Sequence, residues 1–563
     1  MTEAKARMPS WLGTAVFYQI YPQSFADSLG DAIGDLPGLI GKLPYLKSLG
    51  ITALWLNPIF ESPFGDAGYD ITDFRKVAPR YGTRQDAVRL FHEAHALGLK
   101  VVLDLVAGHT SDQHPWFLAA CGNGAAEFRD HYIFTGREAQ KPMFGDSIPK
   151  TSQGEHYVAN FLPFQPALNY GYAPPDPAKP WQLAPEHPAC LAMRDELRDL
   201  MRFWLDLGCD GFRVDMASSL IKGAATHEPL QRLWQEIRTW FDRDYPEAVL
   251  IAEWSHPSHA IDAGYHIDFM IHFGEPAYMH LVGSGNELCG TSRIPHVFFE
   301  RSGEGDIRLF LDNFLKHYRA TAGRGYISLP TGNHDFQRPR RGRDPEELRV
   351  LYAMLFTMPC VPFLYYGDEI GMRHLDGLPE KEGSMWRTGN RTPMQWQNGA
   401  PNLGFSNAPP SQLYLPVDPA PDAPTVSGQL ADPTSLLHFT RRLIALRHRY
   451  SALGNDAEFH PLHAESGRYP FVYQRSDSRG RFVIAINPGE PACSVDLAEL
   501  LGAEILLAEG AQLTHTRLEL AGVSFAIFKL SDGRRFHDAA RQPLRASREK
   551  QRCSRTLSKN CPS

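Results

Sequence analysis

The sequence has few of the features that mark a metal, redox or membrane protein. Its eight cysteines stand apart, at positions 121, 190, 209, 289, 360, 493, 553 and 561. Because no two lie at metal-ligand spacing, the pattern argues against a zinc site and against a disulfide framework. No apolar stretch reaches the length of a membrane span, and residues 1–11 lack the apolar segment of a signal peptide. We therefore predict a cytoplasmic protein without a membrane partner.

An excess of positive charge is also missing. The 563 residues carry 57 Lys and Arg against 64 Asp and Glu, a net charge of -7. With 43% hydrophobic and 21% charged residues, this is the balance of a globular protein and not of a nucleic-acid binder. The exception is the end of the chain, 533–563, which is basic and poor in large apolar residues. We predict a disordered tail there, with a basic interaction arm as the alternative.

From residue 16 onward, strand-like and helix-like patterns alternate, which predicts a parallel sheet covered by helices. Eight strands can be counted, and the helices between them include 83–97, 195–207, 229–241, 308–321 and 346–357. A long segment rich in Pro, Gly and aromatic residues interrupts this alternation after the third barrel strand. The expected domains are a barrel of two parts (1–108 and 193–453), an inserted subdomain (109–192) and a C-terminal antiparallel β-sandwich (454–532).

Four of the short apolar runs deliver an acid or a histidine where the strand should end. They are VVLD (101–104, followed by His109), GFRVD (211–215), VLIAE (249–253) and ISLP (327–330, followed by NHD at 333–335). One such run alone is most simply a buried Arg–Asp ion pair. Four of them describe the active face of a (β/α)8 TIM barrel, where the carboxyl ends of the strands converge.

Three of these strand ends carry carboxylates: Asp215, Glu253 and Asp335. Paired carboxylates with no metal or phosphate motif are the equipment of glycosidic bond cleavage, so no cofactor is expected for the chemistry. Arg213 shares a strand face with Asp215 and is expected to lower the pKa of that nucleophile. The apolar run before Glu253 should raise its pKa, as the acid requires.

These residues carry a resemblance to a known family. The stretches DLVAGH (104–109), GFRVD (211–215), AEW (252–254) and NHD (333–335) resemble the four signature regions of the α-amylase family of retaining glycoside hydrolases and transglycosidases. The resemblance implies that Asp215 is the nucleophile, Glu253 the general acid/base and Asp335 the carboxylate that grips sugar hydroxyls. It also implies that the wall of the glucose pocket contains Tyr69, Asp70, His109, Arg213 and His334.

Three further stretches resemble the oligo-1,6-glucosidase, α-glucosidase and trehalose synthase branch of that family: QPALN (165–169), YYGDEIGM (365–372) and RTPMQW (391–396). By this matching, Phe161 and Gln165 line the pocket, and Arg387 and Arg391 have the spacing of the arginines that close it. The branch implies an exo-acting enzyme for short α-glucosides of the maltose, isomaltose, sucrose or trehalose type.

The chain departs from its relatives at several positions. Gly108 replaces a calcium-ligating Asn of the amylases, and Met216 after the nucleophile matches neither linkage type. The loop 27–35 resembles the calcium loop of the oligoglucosidases, which implies Asp27, Asp31, Asp35 and the Ile33 carbonyl as ligands of a structural calcium. Leu29 replaces the usual Asn ligand, and a solvated acidic turn is the alternative.

Two other functions stay open from the sequence. In a transferase or isomerase such as trehalose synthase, a sugar instead of water would intercept the glucosyl-enzyme. A non-catalytic binding relative is disfavoured because all three carboxylates are present. The expected partner is a small α-glucoside, and the oligomeric state is not predicted.

Overall fold

The computed structural model describes residues 8–122, 126–224, 226–271, 273, 276–283 and 294–531. The predicted basic tail lies outside the described residues. Eight strands form a closed parallel barrel in the spatial order β1-β12-β11-β10-β9-β8-β5-β2, which confirms the predicted (β/α)8 architecture. These strands are β1 (Phe17–Ile20), β2 (Ala53–Leu56), β5 (Lys100–Leu105), β8 (Gly211–Val214), β9 (Val249–Ala252), β10 (Ile267–Phe269), β11 (Tyr326–Pro330) and β12 (Val361–Tyr365).

Helices connect and cover the strands of the barrel. They are α1 (Leu36–Leu49), α2 (Arg84–Ala96), α3 (Pro115–Ala120), α4 (Ala126–Arg129), α5 (Pro188–Asp206), α6 (Glu228–Asp244), α7 (Pro257–Asp262), α8 (Met279–Val282), α9 (Ile307–Thr321), α10 (Pro345–Leu355), α11 (Val426–Ala431) and α12 (Leu436–Arg449). Among the described residues, no helix is both long and apolar enough to cross a bilayer.

Polar side chains at the helix starts explain where several helices begin. Thr83 and Asp86 form a capping box on α2, and Asp344 and Glu347 form another on α10, so free N–H groups of the first turn gain acceptors. Helix α5 begins seven residues before the predicted 195. Its first residue is Pro188, and proline is favoured at the first position of a helix. The apolar pattern alone did not reveal this start.

The floor of the barrel is aromatic. Phe17 and Phe363 stack with ring centroids 4.3 Å apart, and Phe269 lies 4.8 Å from Phe363. Trp55 packs against Phe269 at 5.5 Å. The guanidinium of Arg213 lies 5.1 Å above the Trp55 ring, so this apolar plug supports the first charged layer of the barrel mouth.

Between β5 and α5, the segment predicted as an inserted subdomain forms short elements instead of a plain loop. It contains α3, α4 and the paired strands β6 (Phe134–Gly136) and β7 (His156–Tyr157). Another short ribbon, β3 (Phe60–Glu61) with β4 (Asp73–Val77), follows β2. Isolated bridges join Ala167 to His109, just after β5, and Tyr172 to Lys222, after β8, so the second half of the segment is tied to two barrel loops.

The C-terminal part is antiparallel, as predicted, and its hydrogen bonds make one six-stranded sheet. The strands alternate their side chains: residues 482, 484 and 486 belong to the main core, whereas 483 and 485 join a second apolar cluster on the other face. The strands are β13 (Glu458–His463), β14 (Phe471–Asp477), β15 (Gly480–Asn487), β16 (Cys493–Asp496), β17 (Glu504–Thr514) and β18 (Arg517–Lys529).

The acidic loop before α1 is held together by its own hydrogen bonds. Asp27 accepts from the backbone N–H groups of residues 29, 30 and 32, and Asp31 accepts from the N–H of Ile33 at 3.1 Å. Asp35 caps α1 by accepting from the N–H of Gly38 at 2.6 Å. In the described part of the chain, one group of three acidic, histidine or cysteine side chains has its ligand atoms within 4.8 Å of one another. It lies outside this loop and consists of His296, Glu300 and Glu304. Each acidic side chain thus has a role within the loop, and the structural calcium stays a prediction.

The acidic turn and the calcium site can be distinguished by thermal unfolding. We expect Asp35→Ala to lower the unfolding midpoint by about 1–2 °C, because a lost N-cap costs about 1 kcal/mol. The exposed Asp31 accepts one bond from its own loop, so Asp31→Ala should change the midpoint by less. If the acidic turn needs no ion, neither calcium nor a chelator should alter these results. A midpoint that falls with chelator, together with an equal effect of the two variants, would support the predicted calcium site.

Candidate active site

The three predicted carboxylates meet at one mouth of the barrel. Asp215 directly follows β8, Glu253 directly follows β9, and Asp335 lies in the loop after β11. They line a single cavity of about 400 Å³, the size of a small-ligand pocket. The cavity wall is formed by Asp66, Tyr69, His109, Met143, Phe144, Phe161, Asp215, Met216, Ser218, Glu253, Phe273, His334, Asp335, Trp386 and Arg387.

Arg213 lies beneath this cavity and contacts three carboxylates. Its Nη1 donates to Asp104 Oδ1 at 2.8 Å and to Asp215 Oδ1 at 3.0 Å, and its Nη2 pairs with Glu253 Oε1. The guanidinium is 1% exposed, so these charges interact with little screening by water. One planar cation therefore fixes the positions of both predicted catalytic carboxylates. The backbone N–H of Met216 also donates to Glu253 Oε2 at 2.9 Å.

The charge balance around Arg213 decides the protonation of this pair. Burial raises the pKa of Asp215 well above its usual range, and the neighbouring Glu253 adds to the rise, which Arg213 only partly offsets. Burial likewise raises the pKa of Glu253, again with Arg213 opposing. Arg213 thus lowers the pKa of Asp215 as predicted, but burial and Glu253 outweigh it, so the net pKa is raised. One cation among three buried carboxylates favours a pair that retains a proton, as an acid and a nucleophile together require.

His334 is buried in a hydrogen-bonded chain that leads back to Asp104. Gln19 Nε2 donates to His334 Nδ1 at 2.9 Å, and His334 Nε2 lies 2.7 Å from the Tyr69 hydroxyl. Tyr69 in turn donates to Asp104 Oδ2 at 2.9 Å. Burial lowers the pKa of His334 well below its usual range. The neutral ring is held with its Nε2 edge at the cavity, beside Asp335 Oδ2 at 3.2 Å.

His109 is a buried residue of the cavity wall. Its Nδ1 lies 3.3 Å from Asn160 Nδ2, whereas its buried Nε2 has no hydrogen-bond partner of good geometry among the described residues. Burial lowers the pKa of His109 to about 3, so the ring is neutral at physiological pH. A buried polar atom without a partner is costly, and a ligand hydroxyl would satisfy it.

Two arginines hold Asp335. Arg387 Nη1 donates to Asp335 Oδ1 at 2.8 Å, and Arg391 Nη2 donates to the same oxygen at 3.2 Å. Arg387 also reaches Asp66 Oδ1 at 3.2 Å through Nη2, so it crosses one side of the pocket. Gln165 Nε2 donates to Asp66 Oδ2 at 2.9 Å. The cavity wall therefore does not include Arg213, Gln165 or Arg391, which were predicted to form it. Each of them instead contacts an acid of the wall.

Asp70 does not line the cavity, contrary to the prediction. Its carboxylate turns back into its own loop, where it accepts from the N–H groups of Gly65 and Asp66 at 2.8 and 3.0 Å and from Ser62 Oγ at 3.0 Å. Burial raises the pKa of Asp70 to about 6. The acid that reaches the pocket is Asp66, four residues earlier.

Sequence reasoning also missed the aromatic rim of the pocket. Phe144 lies 4.9 Å from Phe161 and 6.3 Å from Trp386 between ring centroids. Of these three, only Phe161 was predicted. Phe144 comes from the inserted segment and Trp386 from the segment after β12, so no local pattern could have paired them. The one hint to Trp386 in the sequence was its position directly before Arg387, which was predicted to close the pocket.

Comparison with known proteins agrees with this geometry. A family model described as the α-amylase catalytic domain matches residues 19–456. The trehalose synthase/amylase TreS of Mycolicibacterium smegmatis is 32% identical over 497 residues, which cover 79% of this chain and 77% of that protein. The oligo-1,6-glucosidase of Parageobacillus thermoglucosidasius is 30% identical over 553 residues, covering 85% and 91%. The trehalulose synthase MutB of Pseudomonas mesoacidophila has a similar structure, with a TM-score of 0.77, 26% identity and coverage of 92% and 99%.

The parallel barrel brings three carboxylates to one pocket, and the family model and the glucosidase relatives identify the chain as a glycoside hydrolase. Within that class, the chain belongs to the α-amylase family.

The places of Asp66 and Asp70 can be separated by substitution. We expect Asp66→Asn to reduce kcat/KM by roughly tenfold to a hundredfold, because it weakens the bond that Arg387 makes across the pocket. Its thermal midpoint should change little. Asp70→Asn should do the reverse, lowering the midpoint by loosening the turn while leaving most of kcat/KM. The opposite ranking of the two variants would return Asp70 to the pocket wall.

The pH profile of kcat/KM tests the protonation argument. Asp215 must lose its proton to act and Glu253 must keep one, so activity should rise through the lower pKa of the pair and fall through the upper. Because both pKa values are raised, the acid limb should lie above about pH 4, the ordinary carboxyl value. Circular dichroism at each pH would separate unfolding from titration. Full activity well below pH 4 in the folded protein would contradict the argument.

Proposed function

We propose that the protein is a retaining, exo-acting α-glucosidase that cleaves short α-glucosides through a covalent glucosyl-Asp215 intermediate. The observation that carries the proposal is the shared contact of Asp215 and Glu253 with the single guanidinium of Arg213. A retaining enzyme needs its two carboxyl groups roughly 5 Å apart, whereas an inverting enzyme needs a wider gap for water. Two carboxylates on one guanidinium favour the closer arrangement.

The reaction proceeds in two displacements. An Asp215 carboxylate oxygen attacks the anomeric carbon while Glu253 gives its proton to the leaving oxygen, so the glycosidic bond breaks as the glucosyl–Asp215 ester forms. Glu253, now a carboxylate, removes a proton from water, and the water oxygen displaces Asp215. Two inversions leave the anomeric configuration unchanged, and Glu253 regains its proton.

Neutral donors and a paired carboxylate are available to hold the glucose ring. His109 and His334 both line the pocket, and neither ring is charged. Asp335, whose Oδ1 is held by both arginines, is a carboxylate of the pocket wall that can accept from sugar hydroxyls. Such contacts position the anomeric carbon and strengthen as charge develops on the ring.

Exo action is supported by the shape of the pocket. Arg387 bonds to Asp66 on one side and Asp335 on the other, which blocks a polysaccharide from passing through. The rings of Phe144, Phe161 and Trp386 narrow the opening. A blind pocket of about 400 Å³ suits one terminal sugar of a short substrate better than an internal segment of a long chain.

Glucosyl transfer or isomerisation is the second candidate. Its support is the apolar rim, because aromatic and methionine side chains at the mouth exclude water and leave room for a sugar acceptor. Two similar proteins, named trehalose synthase/amylase and trehalulose synthase, are consistent with this candidate. In this case, the hydroxyl of a sugar would replace water in the second displacement.

Proton NMR of separate incubations with maltose, isomaltose, sucrose and trehalose tests both candidates. We expect free α-glucose as the first glucose product from at least one sugar, because double displacement retains configuration. A new disaccharide with little free glucose would replace hydrolysis with transfer. Initial β-glucose would refute the retaining mechanism.

The matched control is Asp215→Asn, which keeps the shape of the side chain but removes the nucleophile. It should reduce turnover by roughly 10⁴-fold or more while its circular dichroism stays unchanged. No turnover of any glucoside by the unmodified protein would reject both enzymatic candidates and leave the non-catalytic relative.

A further inference from the structure

The side-chain amide of Asn160 lies where the inserted segment meets the barrel. It is 4% exposed, and its Nδ2 approaches three groups on two barrel loops: His109 Nδ1 at 3.3 Å, Ser219 Oγ at 3.2 Å and Met216 Sδ at 3.7 Å. His109 follows β5, whereas Met216 and Ser219 follow the nucleophile Asp215. One amide therefore links a predicted sugar contact to the nucleophile loop.

Two departures of the sequence from its relatives meet at this amide. A Cβ on Gly108 would lie 2.6 Å from Asn160 Nδ2 and 3.1 Å from Ser219 Oγ, so a side chain there would displace the amide. Met216, the unusual residue after the nucleophile, has a positive φ of 43°, a strained conformation for a residue with a side chain. Gly108 thus leaves the space that the Asn160 amide occupies, and the Met216 sulfur lies 3.7 Å from the same amide.

Lys222 determines which way the amide faces. Its Nζ donates to Asn160 Oδ1 and, at 2.6 Å, to the carbonyl oxygen of Ser219. An ammonium has three donors and no acceptor, so the amide oxygen must face Lys222. The NH2 group is left facing His109, which removes the usual ambiguity between the oxygen and nitrogen of an amide. Within the described part of the chain, Lys222 forms no ion pair that would compete for this ammonium.

The orientation of the amide fixes the tautomer of His109. An NH2 group only donates, so Nδ1 of the neutral ring must accept and the ring proton must be on Nε2. Nε2 is the buried atom without a partner among the described residues. Burial and the charge of Lys222 both lower the pKa of His109, whereas the backbone of Tyr69 raises it.

We propose that Asn160, with its amide turned by Lys222, is a positioning residue that holds His109 as the Nε2–H tautomer aimed at a substrate hydroxyl. The substrate side of this statement rests on the proposed glycosidase function. The statement about the His109 tautomer does not rest on that function, because it concerns the free protein. An experiment on the free protein therefore distinguishes failure of the inference from failure of the proposed function.

The test is Asn160→Asp, examined by nitrogen NMR of protein labelled with ¹⁵N-histidine, with His109→Gln used to identify the His109 signals. The unmodified protein should show His109 neutral with its proton on Nε2. The carboxylate introduced by the substitution cannot donate, so in the variant the proton should move to Nδ1, or the ring should take up a second proton. With a sugar that the protein turns over, kcat/KM should fall about tenfold.

Two controls separate positioning from folding and charge. Lys222→Met removes the donor to the amide oxygen of Asn160 and should perturb the His109 signals without adding a negative charge. It is therefore an independent test of the inference if the Asn160→Asp variant does not fold. Asn398→Asp makes the same charge change at an exposed site whose side-chain oxygen still accepts from Thr425, and it should leave the signals unchanged. An unaltered Nε2–H tautomer in both folded Asn160→Asp and Lys222→Met would overturn the inference.

Discussion

The barrel mouth depends on one buried cation. Arg213 lies on the aromatic floor and contacts Asp104, Asp215 and Glu253, whose side chains come from three adjacent strands or their ends. Removing one partner of a buried ion pair typically costs about 3–5 kcal/mol, and here a single removal would leave three buried acids without their shared cation. The ionic cluster is therefore a structural constraint on the barrel, and it fixes the positions of the two carboxylates to which we assign the chemistry.

Charge is divided unevenly across the pocket, and the division matches the chemistry. Near β8 and β9, three carboxylates share Arg213, so the excess of negative charge favours retention of a proton. Across the cavity, Asp66 and Asp335 share Arg387 and Arg391, so acids and cations are equal in number. The first side suits proton transfer and nucleophilic attack. The second suits a fixed set of acceptors and donors for sugar hydroxyls, where no proton needs to move.

The histidines complete the site because they are kept neutral among charged groups. His334 accepts from Gln19 and His109 faces the NH2 group of Asn160, so in both rings an amide occupies Nδ1 and directs the proton to Nε2. Burial prevents the second protonation that the nearby carboxylates would otherwise favour. The amides that fix these tautomers belong to different parts of the chain, β1 in one case and the inserted segment in the other. The site thus relies on the packing of the insertion as much as on the barrel strands.

The sequence by itself determined the barrel and the three carboxylates, because both follow from local order. Strand and helix periodicity alternate along the chain, and Asp215 and Glu253 are the residues directly after short apolar strands, where a parallel barrel must present them. Only the tertiary structure decided that Asp66 and not Asp70 reaches the pocket. It also decided the net pKa shifts of the carboxylates on Arg213 and which side chain fixes the tautomer of His109. Asp66 and Arg387 are 321 residues apart, and Asn160 and Lys222 are 62 apart, so no local pattern pairs them. The net pKa of Asp215 likewise depends on burial and on Glu253, which its neighbour Arg213 alone could not reveal.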